Sequence, residues 1–347
     1  MQQAVTTMTV FHAIGPNGHA PAMRTAATQQ QAGGAAENSA ASVASLPQLP
    51  QNRPMDLDLQ ERIPVNRYRP SAPLRVTLDS IEKITPEGSP NDVRHLVLRW
   101  RPGEFWWQEG QSVGIIAPGL TAKGRAQPVR LFSIASARGG EDGDGCTLGL
   151  TVKRFYWTVP ETGVVIPGLC SNYLCDAQVG DQMLMTGPVG REMVPLDWSA
   201  PMLLIATGTG IAPFRAFLQQ RSRLPAAERG KTLLVFGAQT EGDLSYREWM
   251  DDLAVHDSGL QIVYARSREE KTATGKRMYV QDRLREYGHQ AWQLLQDPRA
   301  VTYLCGLKGM EEGIDDALAA TALDHGADWP ALRQTLLDEK RFRVEVY

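Results

Sequence analysis

The rhythm of the chain changes once, near Pro195–Ala200, and that change limits the folds open to it. Before it, short apolar runs recur at Leu74–Val76, Val93–Arg99, Gln111–Ile116, Val129–Ala135, Cys146–Phe155 and Asp181–Thr186, with Gly and Pro between them. Short strands at regular spacing predict a closed antiparallel barrel or a sandwich. After it, strand-like runs at Met202–Ala206, Thr232–Gly237, Gln261–Ala265 and Val301–Cys305 alternate with helical patterns at Pro213–Arg223, Leu244–Ala254, Glu311–Leu323 and Trp329–Leu337. Val280, Leu284, Tyr287, Ala291 and Leu294 also fall at helical spacing. Strands alternating with helices predict a parallel, doubly wound sheet. The expected architecture has two domains, an antiparallel β-barrel over residues 66–196 and a doubly wound α/β domain over 197–347. Residues 1–65, rich in Ala, Gln, Ser and Pro, read as a disordered N-terminal tail.

Composition removes several function classes. A net charge of -3 and the lack of any RNA-binding or zinc-finger pattern argue against nucleic acid. The longest apolar stretches, such as Pro201–Ala206, are too short to span a bilayer, so no integral membrane segment is expected. The four cysteines, Cys146, Cys170, Cys175 and Cys305, form no cluster that would hold zinc or iron–sulfur. No metal site is expected, and a metal-centred electron carrier has to come from a partner. Sparse cysteines fit a reducing compartment. A bacterial cytoplasmic location is favoured over organellar import, because Arg24 and Arg53 are the only arginines before Glu61 and a transit peptide is arginine-rich.

Three strand ends in the second half carry candidate chemistry. Ile205-Ala206-Thr207-Gly208-Thr209-Gly210-Ile211-Ala212-Pro213 joins an apolar run to a helix, where glycines and free N–H groups suit a phosphate. Alone, such a turn is equally a plain tight turn. The run Gln261–Ala265 leads into Arg266-Ser267-Arg268, a hydroxyl and a guanidinium where NAD-binding sheets place an acid. That pair suits a 2′-phosphate and favours NADP, with Arg277 and Tyr279 closing the same pocket; Glu269 sits untidily beside them. Cys305 ends a strand beside the turn Gly306-Leu307-Lys308-Gly309-Met310, either as inert packing or over a cleft. The last strand alternates so that Arg343, Glu345 and Tyr347 share one face, which suits a flat redox-active ring with a carboxylate at its edge.

In the first half, Arg130-Leu131-Phe132-Ser133 joins a cation, an aromatic and a hydroxyl in one strand. Arg130 can neutralise a pyrophosphate and Ser133 can bond a ring nitrogen. Leu169-Cys170-Ser171-Asn172-Tyr173 offers free N–H groups at a helix-like turn; Lys153 and Arg154 add charge and Trp157 a stacking face.

Taken together, Arg130–Ser136, Gly168–Cys175, Thr186–Met193, Ala206–Phe214, Ser267-Arg268, Arg277–Gln281, Tyr303–Met310 and Val344–Tyr347 occur in an order and spacing that resemble plant-type ferredoxin–NADP reductases, from about Pro70 to Tyr347. The resemblance implies FAD against the barrel, with Arg130, Phe132, Ser133, Cys170 and Ser171 in contact, Trp157 near the adenine and Tyr347 over the isoalloxazine. It implies Ser133, Cys305, Glu345 and Tyr347 around the hydride-transfer locus. It implies NADP(H) on Lys153, Gly208, Thr209, Ser267, Arg268, Arg277, Tyr279, Gln281 and Lys308. Phe132 departs from the family's usual Tyr; it keeps the ring and loses a hydroxyl. A ferredoxin or flavodoxin is the expected partner, with Lys123, Arg125, Lys340 and Arg341 as candidate docking cations. Two other readings stay open: the reductase component of a multi-component oxygenase, for example one acting on benzoyl-CoA, and a non-catalytic flavin- or NADP-sensing module.

Overall fold

The computed structural model describes residues 63–347; the expected tail over 1–65 falls almost wholly outside them. Strand β1 (Leu74–Lys83) buries Leu74, Val76 and Leu78 and turns Arg75 and Asp79 outward, the alternation of a half-buried strand. With β2 (Val93–Arg99), β3 (Ser112–Ile116), β4 (Arg130–Ser133), β5 (Thr147–Lys153) and β8 (Gln182–Val189) it forms a six-stranded antiparallel sheet, ordered β4-β3-β8-β1-β2-β5. The two outer strands meet just beyond β4. Ile134 bridges Leu150, and Ala135 N–H donates to Gly149 O at 2.8 Å, which closes the sheet into a barrel. Leu78, Leu98, Ile115, Phe132, Leu148 and Met185 are among the side chains that fill it.

A hairpin, β6 (Tyr156–Thr158) and β7 (Val165–Pro167), leaves the barrel and holds its apolar side chains exposed. The sequence pattern did not indicate it, because neither strand has a buried face to impose alternation. Helix α1 (Leu169–Asp176) follows it directly.

The second half is a five-stranded parallel sheet: β9 (Met202–Thr207), β10 (Thr232–Ala238), β11 (Leu260–Arg266), β12 (Val301–Gly306) and β13 (Phe342–Val346), ordered β11-β10-β9-β12-β13. Helices α2 (Ile211–Arg223), α3 (Arg247–His256), α4 (Val280–Glu286), α5 (Gly288–Leu295), α6 (Met310–Asp324) and α7 (Trp329–Asp338) connect the strands. All of β12 is buried, as a central strand covered on both faces requires. The run that begins at Val280 is two helices and not one. It breaks at Tyr287–Gly288, where Gly288 packs against the Thr321 side chain too closely for a Cβ. Strand order reverses between β9 and β12, so the carboxyl ends of these two strands form the topological switch point at which such sheets bind ligands.

Candidate functional site

At the switch point the chain leaves β9 through a single 3-10 turn, Gly208–Gly210, and enters α2. Gly208 adopts φ +55°, which favours glycine. Gly210 lies against the Cys305 carbonyl so closely that any Cβ would collide with it. These glycines bring the turn down onto the end of β12, beside the final strand.

Tyr347 is held there at three points. Its N–H donates to Gly306 O at 3.0 Å, its main-chain oxygen accepts from Lys308 N–H at 2.9 Å, and its hydroxyl lies 2.6 Å from Thr209 Oγ1. Burial pushes its phenol well above the usual tyrosine range, with Cys305 adding to the shift and Thr209 opposing it. Cys305 and Glu345 are register partners on β12 and β13. Cys305 is wholly covered, and burial, reinforced by Glu345, raises its thiol well above the ordinary value. It is therefore a neutral thiol.

Glu345 has a carboxyl pushed up to about 7 by burial; the bond from Ser112 Oγ to Oε1, long at 3.5 Å, opposes the shift only weakly. No cation pairs with it among the described residues. Ser112 is the cross-strand partner of Ser133, so the barrel strand carrying Ser133 lies beside the hydroxyl that meets the carboxylate of the α/β domain. Sequence reasoning found Ser133 but missed Ser112, because the β3–β4 register that pairs them is a tertiary fact.

Of the remaining nucleotide candidates, Ser267, Arg268, Arg277 and Tyr279 lie in the segment that follows β11, and Gln281, Lys308 and Lys153 lie on or beside other elements. Ser267 and Arg268 N–H donate to Ala238 O and Gln239 O, which fixes the turn beyond the strand. Of the arginines there, Arg266 is engaged with Glu241 and Glu270, whereas Arg268 is exposed and pairs with no carboxylate among the described residues. Glu269 accepts from Glu241 N–H at 2.8 Å, so the acid beside Arg268 is taken up by the loop. Arg277 is exposed, and Tyr279 leaves its ring exposed at the start of α4. Gln281 lies across α6 at Gly313, where a side chain would crowd it. Lys308 projects from the β12 turn, and half-buried Lys153 faces Asp243 with its amine pushed down by burial.

On the barrel, Arg130 has no carboxylate partner among the described residues and lies near enough to Cys170 to draw its thiol down, against a larger burial effect that lifts it to about 12. Arg130 therefore stands beside the start of α1. Gly168 caps that helix without a side-chain bond, so its first N–H groups remain open to an anion. Cys170 Sγ turns inward toward Ile115 O, and Ser171 Oγ accepts from Phe155 N–H and donates to Gly168 O, which leaves mainly the main chain of both for an outside group. Phe132 is fully buried, and Trp157 is 49% exposed on the hairpin. A guanidinium and a helix N-terminus fit a pyrophosphate, an exposed indole fits an adenine, and Cys305, Glu345 and Tyr347 gather at the end of β12 and β13 beside the barrel's Ser112.

One docking candidate is corrected. Arg341 is buried, with its guanidinium donating to Ala300 O, Asp297 O and Glu339, and it ties α7 to the start of β12. Lys123 and Arg125 are exposed, and Lys340 is half-buried. No helix among the described residues is long and apolar enough to cross a membrane.

Residues 204–316 match the oxidoreductase NAD-binding domain. The chain is 40% identical to the cyanelle ferredoxin–NADP reductase of Cyanophora paradoxa over 290 residues, 82% of this chain and 79% of that protein. It is 40% identical to the ferredoxin–NADP reductase of a Spirulina species, covering 82% of this chain and 99% of the relative. It is 39% identical to the rice chloroplastic leaf isozyme 1, covering 83% and 80%. The solved ferredoxin–NADP+ reductase of Plasmodium falciparum has a similar fold, with a TM-score of 0.64 at 24% identity over 82% of this chain and 99% of that one. The ordered motifs, the barrel joined to a parallel sheet and these identities agree, and the chain belongs to the ferredoxin–NADP reductase family.

Proposed function

We propose that the chain is a FAD-dependent oxidoreductase that moves electrons between NADP(H) and a one-electron carrier, ferredoxin or flavodoxin, through hydride transfer between nicotinamide C4 and flavin N5. The observation that carries this reading is the convergence of Cys305, Glu345 and Tyr347 at the switch point, with Ser112 Oγ of the barrel reaching Glu345. The relatives named above bear the name of that activity. In the same reading, residues 66–196 carry FAD and 197–347 carry NADP(H).

Bound FAD would supply the conversion of a two-electron hydride into single electrons. The chain's own residues do the rest. Arg130 and the start of α1 hold the pyrophosphate, Trp157 the adenine, and Phe132 supports the ring from the barrel side. Ser133 orients the ring edge. Glu345 holds or releases a proton at its carboxyl oxygens near neutral pH. Cys305, small and neutral, lets a nicotinamide lie flat. Tyr347 covers the place where that ring must arrive and excludes water until it does.

The protein purified after gentle lysis should be yellow and should pass electrons from NADPH to ferredoxin, read through cytochrome c. A colourless protein that stays colourless after reconstitution with FAD overturns the reading. A yellow protein without turnover favours a sensor, and preference for an oxygenase component over ferredoxin or flavodoxin overturns the assigned partner. Arg268→Ala should weaken NADPH by about 10- to 100-fold, the loss of one charge-assisted phosphate contact, and spare NADH. Equal losses for both, measured by titration, would contradict the 2′-phosphate pocket. We also keep the bacterial cytoplasmic location as a proposal, supported by four free, unbridged cysteines and tested by cell fractionation.

A further inference from the structure

The strand that ends at Ser133 continues as a loop, and that loop is fastened along one face of α2. Three side chains one helical turn apart make the fastening. Arg215 donates from Nη1 to Ala135 O at 2.7 Å and grips Glu141 with both Nη atoms at 2.7 and 2.9 Å. Gln219 accepts from Ala137 N–H at 2.7 Å. Arg223 donates to Gly140 O at 3.1 Å.

The catalytic end of this zipper is the most enclosed. The Arg215 and Glu141 side chains are 13% and 17% exposed. Arg215 lies over the rings of Tyr246 and Trp249, at 4.8 and 5.4 Å. Glu141 also faces His95 Nε2 at 3.3 Å, and His95 Nδ1 meets the Tyr246 hydroxyl at 2.8 Å. Gly149 of β5 leaves the room these groups occupy; a Cβ there would strike both Glu141 and His95. Burial alone would raise the Glu141 carboxyl, but His95 and Arg215 together hold it below the usual range.

Ala135 is two residues beyond Ser133, and Arg215 sits on the helix that springs from the turn holding Thr209. One guanidinium therefore bridges the segment carrying the ring-orienting serine and the segment carrying the hydroxyl that anchors Tyr347. We propose that Arg215, working through Glu141 and the Ala135 carbonyl, is a positioning residue for hydride transfer that sets the width of the cleft between Ser133 and the Thr209–Tyr347 pair. The proposal rests on the oxidoreductase reading above. Bidentate contact matters here, because a planar fork fixes direction as well as distance, which an ammonium does not. Gln219 and Arg223 act further from the cleft, so their influence should fade in that order.

The test uses the full FAD-loaded chain. Arg215→Met should keep the wild-type flavin content and bind NADP within about 2-fold, because its contacts are Ala135, Glu141, Tyr246 and Trp249, none of them assigned to either nucleotide. Its single-turnover reduction by NADPH should fall about 10- to 100-fold, the scale of an ångström-sized misplacement. The long-wavelength absorbance of stacked nicotinamide and flavin should weaken, and amide exchange over residues 134–141 should quicken in the FAD-free protein as well. Gln219→Ala should show the same pattern at a fraction of the size. If Arg215→Met does not fold, Arg215→Lys, which keeps the charge and loses the fork, should show the split between kcat and KM. A folded variant with wild-type rate and absorbance overturns the proposal, as does a loss of rate explained entirely by lost FAD. If the wild-type chain itself neither holds FAD nor oxidises NADPH, the underlying oxidoreductase reading has failed and the clamp with it.

Discussion

Glu345→Gln is expected to lower the limiting rate of NADPH oxidation about 100-fold and to erase a break in its pH profile near 7. Hydride donation leaves a positive charge on the nicotinamide, and a carboxylate at its edge stabilises that charge. In the native chain the rate should therefore climb as pH rises through the neutral range and Glu345 ionises. Glutamine keeps the shape and cannot ionise, so its profile should be flat there. Stability should move the other way. The folded carboxyl titrates near 7 and the ordinary value is 4.5. Between those limits the folded chain binds more protons than the unfolded one, so this group's contribution is complete below about 4.5 and is lost as pH rises toward 7. At ~1.4 kcal/mol per tenfold change in proton affinity, the loss is on the order of 3 kcal/mol. Thermal melts of the FAD-free protein should show Glu345→Gln more stable than the native chain at pH 8 and no different at pH 4. Parallel pH trends in rate and stability, or a break that survives in the variant, would remove Glu345 from its assigned place.

Tyr347→Ala is expected to tighten NADP binding by about 30- to 150-fold, and to bring NADH closer to NADPH as a donor. The ring is held by Thr209 and packs partly buried on the apolar cluster under the β9–β12 ends. Lifting it exposes an aromatic face, a cost of about 2–3 kcal/mol that an arriving nicotinamide has to meet. On the proposed assignment of Arg268 to the 2′-phosphate, only a nucleotide carrying that group should offset the cost readily in the native chain. Without the ring, the nicotinamide of either dinucleotide enters. Titration should also show slower product release in the variant, with a lower kcat despite the tighter complex. Unchanged selectivity would leave Tyr347 as packing alone.

Much of this was legible in the chain because it follows from local rules. The alternation of Leu74, Val76 and Leu78 and the strand–helix rhythm after Met202 arise from burying one face at a time, and periodicity reports that directly. Gly208 and Gly210 announced a turn that must approach another backbone, and Cys305 is the residue it approaches. The exposed hairpin Tyr156–Pro167 was silent because no core imposes a pattern on it. Arg341 looked like a surface cation because the partners that bury it, besides its neighbour Glu339, are carbonyls of a distant loop, and carbonyls leave no mark in a sequence.

By itself the sequence determined the two architectures, their order, and the residue types at the ends of β9, β11, β12 and β13. Only the tertiary structure decided which hydroxyl meets Glu345, since Ser112 reaches it through sheet register and domain docking. The same holds for Arg215, whose role comes from the loop it grips across the domain boundary. Burial raises the Glu345 carboxyl to about 7, and burial is a property of the folded assembly rather than of any residue in it.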